Sequence, residues 1–448
     1  MQPVESVDIK AFIDARKVSA YQWLVLVLCF WIVMMDGLDT AVMGFVAPVI
    51  MRDWGVGRAA FGTVMSAAMV GLAIGALAAG PAADRFGRKM VVISSVFCFG
   101  IFTVCGSFAD TPTQLIVLRF LTGLGLGAAM PNSTTLLSEY VPSRSRSLLL
   151  TIAVTGFNFG SGAGGFVAAS LIPRFGWHSV FLFCGILPIA SVPLLLWLLP
   201  ESAQHMLVRK TPSERIATTL GRVCHQAFNA GAQFTSPEPA VTARASVRML
   251  FVDGYAFSTV MLWVTYFMGL LIVYLLTGWL PTLIKDAGLP VERAAAITGM
   301  FQLGGTMGAV VVGFAMDRLD RNAVIGAAYL LGGVFIFALG TITLEASLLP
   351  FFVASAGFCI SGAQTGLNAL APSCYPTRAR ATGVSWMLGI GRLGGILGSL
   401  FGGALLSLGL SVATVFSVLA VPAVIAALAI VTNRLAVRYI NPSVAGNT

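Results

Sequence analysis

The chain has 448 residues, 57% of them hydrophobic and only 10% charged, with a formal net charge of +9. Soluble domains carry roughly 25% charged residues, so this composition excludes an ordinary soluble protein. The positive balance would suit nucleic acid, but Lys and Arg fall in short segments between apolar runs, as the positive-inside rule requires of a membrane protein, and a nucleic-acid partner is excluded.

A membrane-spanning helix needs about 20 mainly apolar residues. Twelve stretches meet this, centred near residues 34, 70, 99, 125, 158, 188, 269, 305, 332, 358, 394 and 421. The residues before the first are polar and mixed in charge, and that first run is long enough to span, so no cleavable signal peptide is expected.

The first span, WIVMMDGLDTAVMGFVAP, places Asp36 and Asp39 in an apolar helix. A charge near the bilayer centre costs at least about 2.5–3.5 kcal/mol, which makes such residues functional candidates. Positions i and i+3 share a helix face, so both carboxyls are expected to point into one polar cavity. A carboxyl removed from water is harder to ionise and can load and release a proton near neutral pH. Two readings stay open: static pairing with Arg119 of the fourth span, or exchange between Arg119 and a protonatable aspartate. Neighbouring carboxyls titrate as a pair, so either aspartate can be the one that takes the proton.

After the second span comes GPAADRFGRK. Gly80 and Gly87 permit close packing and a tight turn. Asp84 can accept from a helix N-terminus or pair with Arg, and Arg85, Arg88 and Lys89 can bind carboxylates or lipid phosphates. A latch between two halves is favoured over a simple positive anchor, because Gly and Asp add nothing to anchoring. The fourth span carries Asn132 and ends at Glu139, whose expected partner is Arg144 or Arg146; a proton relay is the lesser alternative. The fifth holds Phe157 and Asn158 in GFNFGSG.

A polar stretch over 201–253 divides the chain into 1–200 and 254–448, six spans each, joined by a central loop. The second half repeats the first. GFAMDRLDR, with Asp317 and Arg318, matches the earlier loop at an offset of 233, and CYPTRAR matches EYVPSRSR at 234. Asp320 stands where the first copy has Gly87, which predicts a weaker or differently shaped second latch. Repeated halves around a midplane site are a common construction of secondary transporters.

Arg392, in GIGRLGG of span eleven, is the repeat mate of Asn158. A guanidinium facing the central cavity can hold a substrate carboxylate in bidentate fashion; pairing with an acidic residue is the alternative. Tyr266, Tyr274, Gln302, Gln364, Asn368 and Trp386 lie at similar depth, with Trp386 the preferred aromatic wall.

With the N-terminus in the cytoplasm, 20 of the 27 Lys and Arg fall on the inside and 5 on the outside, which orients both termini to the cytoplasm. The seven cysteines form no CxxC and the three histidines are scattered, so metal, cofactor and enzymatic chemistry are not expected.

These residues bring a family into view. GPAADRFGRK fits the GxxxDRxGRK signature of the major facilitator superfamily, LRFLTGLGLG resembles its fourth-helix signature, and PES after span six also occurs there. DGLDTAVMGFVAP resembles the first-helix signature of the aromatic acid:proton symporters, and LRFLTGLGLGAAMPNSTTLLSEY and GWHS are similar to members carrying 4-hydroxybenzoate and protocatechuate. The resemblance implies an all-α fold of twelve transmembrane helices in two pseudo-symmetric six-helix bundles. It implies proton symport of aromatic carboxylates into a bacterial cytoplasm across the inner membrane, by a monomer embedded in lipid, and a requirement for Asp36, Asp39 and Arg119. Alternatives carried with it are a drug:proton antiporter, a sugar porter, and a non-transporting chemoreceptor for the same acids. The antiporter is disfavoured by Arg392 and by a fifth span lacking the Gly-Pro pair frequent in antiporters.

Overall fold

The computed structural model describes residues 6–209, 211–224, 228, 233–235, 247–252, 255–342, 347–375 and 377–440. Of the segments named above, parts of 201–253, and Pro376 and the side chain of Arg378 in CYPTRAR, lie outside that description.

The spanning helices are α1 (Ala20–Trp54), α2 (Arg58–Phe86), α3 (Arg88–Gly106) and α4 (Pro112–Tyr140). One helical run, Arg146–Leu198, is two spans: Gly176, at φ 73°, breaks it into α5 (146–175) and α6 (177–198). A left-handed backbone of this kind is open to Gly at no steric cost. The second half supplies α7 (Tyr255–Asp286), α8 (Val291–Met316), α9 (Arg321–Ile342), α10 (Leu349–Leu370), α11 (Thr377–Ser407) and α12 (Val412–Ile440). All but α10 belong to runs long and apolar enough to cross a bilayer. Helix α10 has the length, but its glycines, Gln364 and Asn368 dilute its hydropathy.

Local sequence explains where the spans begin and end. Ser19 and Gln22 form a reciprocal capping box at the start of α1, and Gly55 in the left-handed region closes it. Thr111 caps α4, with Pro112 at its first position.

Helices α1–α6 form one bundle and α7–α12 the other, with the same internal pairings: α2 on α4 is repeated by α8 on α10, and α1 on α5 by α7 on α11. The repeat reaches single residues. A Cβ at Gly71 or Gly75 would overlap a carbonyl of α4, and their mates at offset 233, Gly304 and Gly308, meet α10 carbonyls in the same way. Within a bilayer such close backbone approach is the main source of helix association, so the glycines carry the packing.

Helix α1 begins and α12 ends at one face, here called the basic face. Contacts between the bundles gather toward the opposite face. Gly162 and Gly165 of α5 pack on Gly299 and Ala295 of α8, and Gly62 of α2 on Leu400 of α11. Arg58 there pairs with Asp286 at 2.8 Å, and Lys285 donates to the Pro48 carbonyl at 3.2 Å. Toward the basic face Asp84, Arg85, Asp317 and Arg318 are exposed, and a Cβ at Gly80 or Gly313 would meet nothing within 4 Å. Among the described residues, the contacts between the bundles named here lie toward the face opposite the basic one.

The stretch 201–253 is more structured than a loop. It contains helices Ala203–Val208 and Ser213–Cys224, and a strand, Gln233–Thr235, paired in parallel with Ser6–Asp8. Ile216, Leu220 and Val223 join Ile9, Ile13 and Leu199 in one buried cluster under the first bundle.

Candidate functional site

Near the middle of α1 the two carboxylates part. Asp39 is fully buried. Its Oδ2 lies 3.1 Å from Nη1 of Arg119, itself 1% exposed, and Nη2 of Arg119 donates to the Asp39 carbonyl at 3.2 Å. Thr103 of α3 donates to Oδ1 at 2.5 Å. Asp39 is thus held inside the first bundle, between α1, α3 and α4. Asp36 is 2% exposed, and its hydrogen bond is a long one, 3.4 Å from Thr40 one turn along. Its charged neighbours are Asp39 and, from the second bundle, Arg392. The two carboxyls act on each other, as their i, i+3 spacing leads one to expect, but among the described residues only Asp39 pairs with Arg119. Three residues turn a helix by about 300°, so the side chains stand ~60° apart and their partners differ.

Arg392 is half-buried on α11, and its charge acts on Asp36, Tyr266 and Tyr274. Gly391 and Gly395 flank it on the helix. The ring of Tyr266 lies on Gly391 and that of Tyr274 on Gly395, so the missing side chains leave room for two aromatic faces beside the guanidinium. Arg392 makes no ion pair within 4.0 Å among the described residues. The alternative of an acidic partner reduces to Asp36, the carboxylate of the first bundle on which its charge acts.

The amides divide by role. The Tyr329 hydroxyl donates to Oε1 of Gln364 at 2.6 Å, and the Tyr266 hydroxyl lies beside Gln364 and Asn368. Gln302, 2% exposed, donates through Nε2 to Thr277 at 2.8 Å, while its Oε1 has no partner among the described residues. Asn132 spends its amide on the Ala128 carbonyl of its own helix, a structural use. Asn158 and Phe157 are half-buried, and the Phe157 backbone lies against Gly37, next to Asp36. Trp386 is 42% exposed and stacks on Trp263 with centroids 5.9 Å apart. Six residues separate it from Arg392, about 240° of helical rotation, so Trp386 sits on another face of α11 than the one bearing Arg392.

Gly269 keeps this second-bundle network in register. A Cβ there would overlap Gln364 Oε1 and the Tyr329 hydroxyl. Gly269→Ala is expected to cost about 1–3 kcal/mol of stability and to displace Gln364. In a transport assay the signature is a KM that rises more than kcat falls; an unchanged KM with intact folding would remove Gln364 from the site.

Of the residues read as a latch, Gly87, Arg88, Lys89 and Glu139 join networks at the basic face, and Asp320 joins a related one in the second half, while Asp84, Arg85, Asp317 and Arg318 are exposed. Arg88 pairs with Glu139, and Ser202 donates to Glu139 at 2.5 Å. The predicted partners Arg144 and Arg146 are thus replaced by a residue brought from the start of α3. Arg144 instead donates to the Arg16 carbonyl at 2.5 Å. Gly87, at φ 92°, leaves space for the Glu201 carboxylate, which accepts the Lys89 N–H at 3.1 Å and so caps α3. In the second copy Asp320 caps α9 itself, accepting the Ala323 N–H at 2.8 Å, and pairs with Arg434 at 3.1 Å. Asp320 is Gly87 shifted by 233, and Arg434 is Glu201 shifted by 233. The second turn has the different shape that the Asp substitution predicts: the acid has moved from the end of the sixth span onto the turn, and a base has taken its old place.

Thr103, Thr40, Thr277 and Tyr329 were not singled out by sequence. A lone Thr or Tyr in an apolar run is the available signal, and it is weak because Thr also back-bonds to its own helix.

The family model "Major Facilitator Superfamily" matches residues 29–399, with a second match over 291–445. The chain is 58% identical over 443 residues to a gallate transporter of Pseudomonas putida, covering 99% of this chain and 98% of that one. It is 51% identical over 433 residues to the 4-hydroxybenzoate transporter PcaK of Pseudomonas aeruginosa, covering 96% and 97%. Among solved structures it resembles the xylose transporter XylE of Escherichia coli in a partially occluded inward open conformation, with a TM-score of 0.69 at 16% identity, covering 92% of this chain and 97% of that one. These matches carry membrane transport as the activity class, not catalysis.

Proposed function

We propose that this chain, which belongs to the major facilitator superfamily, is a proton-coupled symporter that imports hydroxybenzoates by alternating access. In this reading it sits in a bacterial inner membrane as a monomer, with the basic face in the cytoplasm, an orientation supported by the bias of Lys and Arg. The relatives that transport gallate and 4-hydroxybenzoate support an aromatic carboxylate as substrate, and gallate is the first ligand to test.

The observation that carries the reading is that the buried Asp36 of one bundle feels the charge of Arg392 from the other. A substrate carboxylate arriving at Arg392 competes with Asp36 for the one guanidinium. Two anions beside a single cation in a site poor in water repel each other, and protonating Asp36 relieves the repulsion. Substrate loading and proton loading then favour each other, which is the thermodynamic content of symport. Asp39, already saturated by Arg119 and Thr103, serves as the fixed charge that orients α1. Tyr266 and Tyr274 supply aromatic faces. Gln302 and Gln364 supply amide groups for ring hydroxyls, with the open Oε1 of Gln302 an acceptor for a phenolic O–H. The exposed loops at the basic face and the tight opposite face suit a carrier caught open to the cytoplasm, with Asp84, Arg85, Arg88, Asp317 and Arg318 in the gate that closes there.

The test is uptake of labelled gallate and 4-hydroxybenzoate into proteoliposomes with an acidic exterior. Accumulation that collapses with a protonophore supports symport. Asp36→Asn is expected to keep substrate exchange while losing accumulation; normal proton-driven accumulation by that variant would sink the role given to Asp36.

A further inference from the structure

A cavity lies at the basic face, lined by the first bundle and the central segment. Its volume is about 480 Å³, and its lining includes Lys89, Arg209, Arg215, Arg222, Glu201 and Trp197. Four cations thus face one carboxylate. Glu201 is occupied by the backbone N–H groups of Lys89 and Ser202, at 3.1 and 2.8 Å. Arg222 acts electrostatically on Lys89, so the cations are close enough to repel one another. Among the described lining residues the charges sum to +3, with no further anion to balance them.

The helix Ser213–Cys224 builds this wall. Ile216, Leu220 and Val223 are buried against the first bundle, and Ser19 at the start of α1 donates to the Val223 carbonyl at 2.5 Å. That stripe fixes the helix on its apolar side and turns Arg215, Thr218, Thr219 and Arg222, spaced at i, i+3, i+4 and i+7, toward the cavity. The lining also has an apolar member: Trp197, at the end of α6, is 79% exposed. Indole rings favour the headgroup level of a bilayer, where one side is apolar and the other wet.

We infer that this cavity binds the phosphodiester headgroup of an anionic phospholipid, with its acyl chains running along the exposed surface of α3 and α6. A free phosphate would satisfy the cations but has no use for Trp197; a zwitterionic lipid would satisfy Trp197 but leave the charge unbalanced. Basic pockets beside spanning helices are suited to such headgroups. The site touches the gate. Arg209 donates to the Arg85 carbonyl at the end of α2, and Lys89 Nζ donates to the Leu196 carbonyl at 2.7 Å, so a headgroup drawing on these cations pulls on the α2–α3 turn.

The experiment reconstitutes the full chain in nanodiscs holding graded fractions of brominated phosphatidylglycerol or brominated phosphatidylcholine. The fluorescence quenched in wild type but absent from Trp197→Phe isolates Trp197. Phosphatidylglycerol is expected to quench it at much lower mole fraction. Arg215→Gln/Arg222→Gln lowers that preference about 25-fold, at about fivefold per lost charge, whereas Arg215→Lys/Arg222→Lys retains it. Equal quenching by both lipids, or a preference unchanged in the Gln variant, would overturn the proposal. Relief of quenching by added inorganic phosphate or glycerol phosphate would assign the cavity to a soluble anion instead and overturn the lipid assignment.

Discussion

Arg392→Gln is expected to lower kcat/KM for hydroxybenzoate uptake by about 100- to 1,000-fold. Hydrogen bonds to a charged group contribute about 1.5–3 kcal/mol each, and a bidentate carboxylate contact makes two, partly offset by the amide that replaces them. Arg392→Lys keeps the charge but loses the planar fork, and is expected to recover one part of that loss, to within about tenfold of wild type. The protein has reason to survive both changes. Arg392 is half-buried and has no ion pair within 4.0 Å among the described residues, so its removal strands no ion-paired partner, and Asp36 loses only the charge of Arg392. Binding of labelled substrate to detergent-solubilised protein, measured beside thermal unfolding, separates lost affinity from lost fold. Wild-type affinity in the Gln variant would remove Arg392 from the substrate site. A substrate amide analogue gives a further check: it lacks the carboxylate charge, so the gap between wild type and Arg392→Gln is expected to narrow for it.

The frame of the molecule was legible because it is written in composition and in turns. Twelve apolar runs, the GPAADRFGRK and GFAMDRLDR turns, and the constant offset between them define two six-helix halves before any contact is known. Glycine positions follow the same repeat, which is why Gly71 and Gly304 do the same work in different bundles. Candidate site residues could be named from the sequence, but not their geometry. Asp36 and Asp39 stand three apart, and helical periodicity puts them on one broad face; which side of ~60° meets Arg119 depends on where α3 and α4 lie. Glu139 shows the same gap. Sequence proximity points to Arg144 and Arg146, whereas packing delivers Arg88, 51 positions away in the chain. The pairing of Ser6–Asp8 with Gln233–Thr235 has no signal at all, because three residues are too few for an alternating pattern.

Asp39 and Arg119 are expected to behave as a unit in a double-mutant cycle. Each is almost wholly buried, and they meet at 3.1 Å with Thr103 completing the carboxylate. Removing one partner leaves an uncompensated charge inside the first bundle, which typically costs about 3–5 kcal/mol. Asp39→Asn and Arg119→Gln are each expected to destabilise the protein by that order. The double variant is expected to be no worse than the poorer single one, because it carries two neutral amides able to hydrogen-bond each other, and replacing a buried pair by neutral groups is often close to neutral. The coupling energy is then at least the cost of the milder single variant, about 3–5 kcal/mol, at or above the upper end for residues in direct contact. Thr103→Val extends the test. It withdraws the hydroxyl bonded to Oδ1 and is expected to cost about 1–3 kcal/mol when Asp39 is present, and much less in the Asp39→Asn background. Strictly additive losses would mean that the two side chains are held by their helices and not by each other. Function separates from stability at this point. A rescued double variant that folds but does not transport would show that the charge of the pair is used during the cycle; one that folds and still accumulates substrate would leave Asp36 as the single carboxylate of α1 on which proton coupling rests.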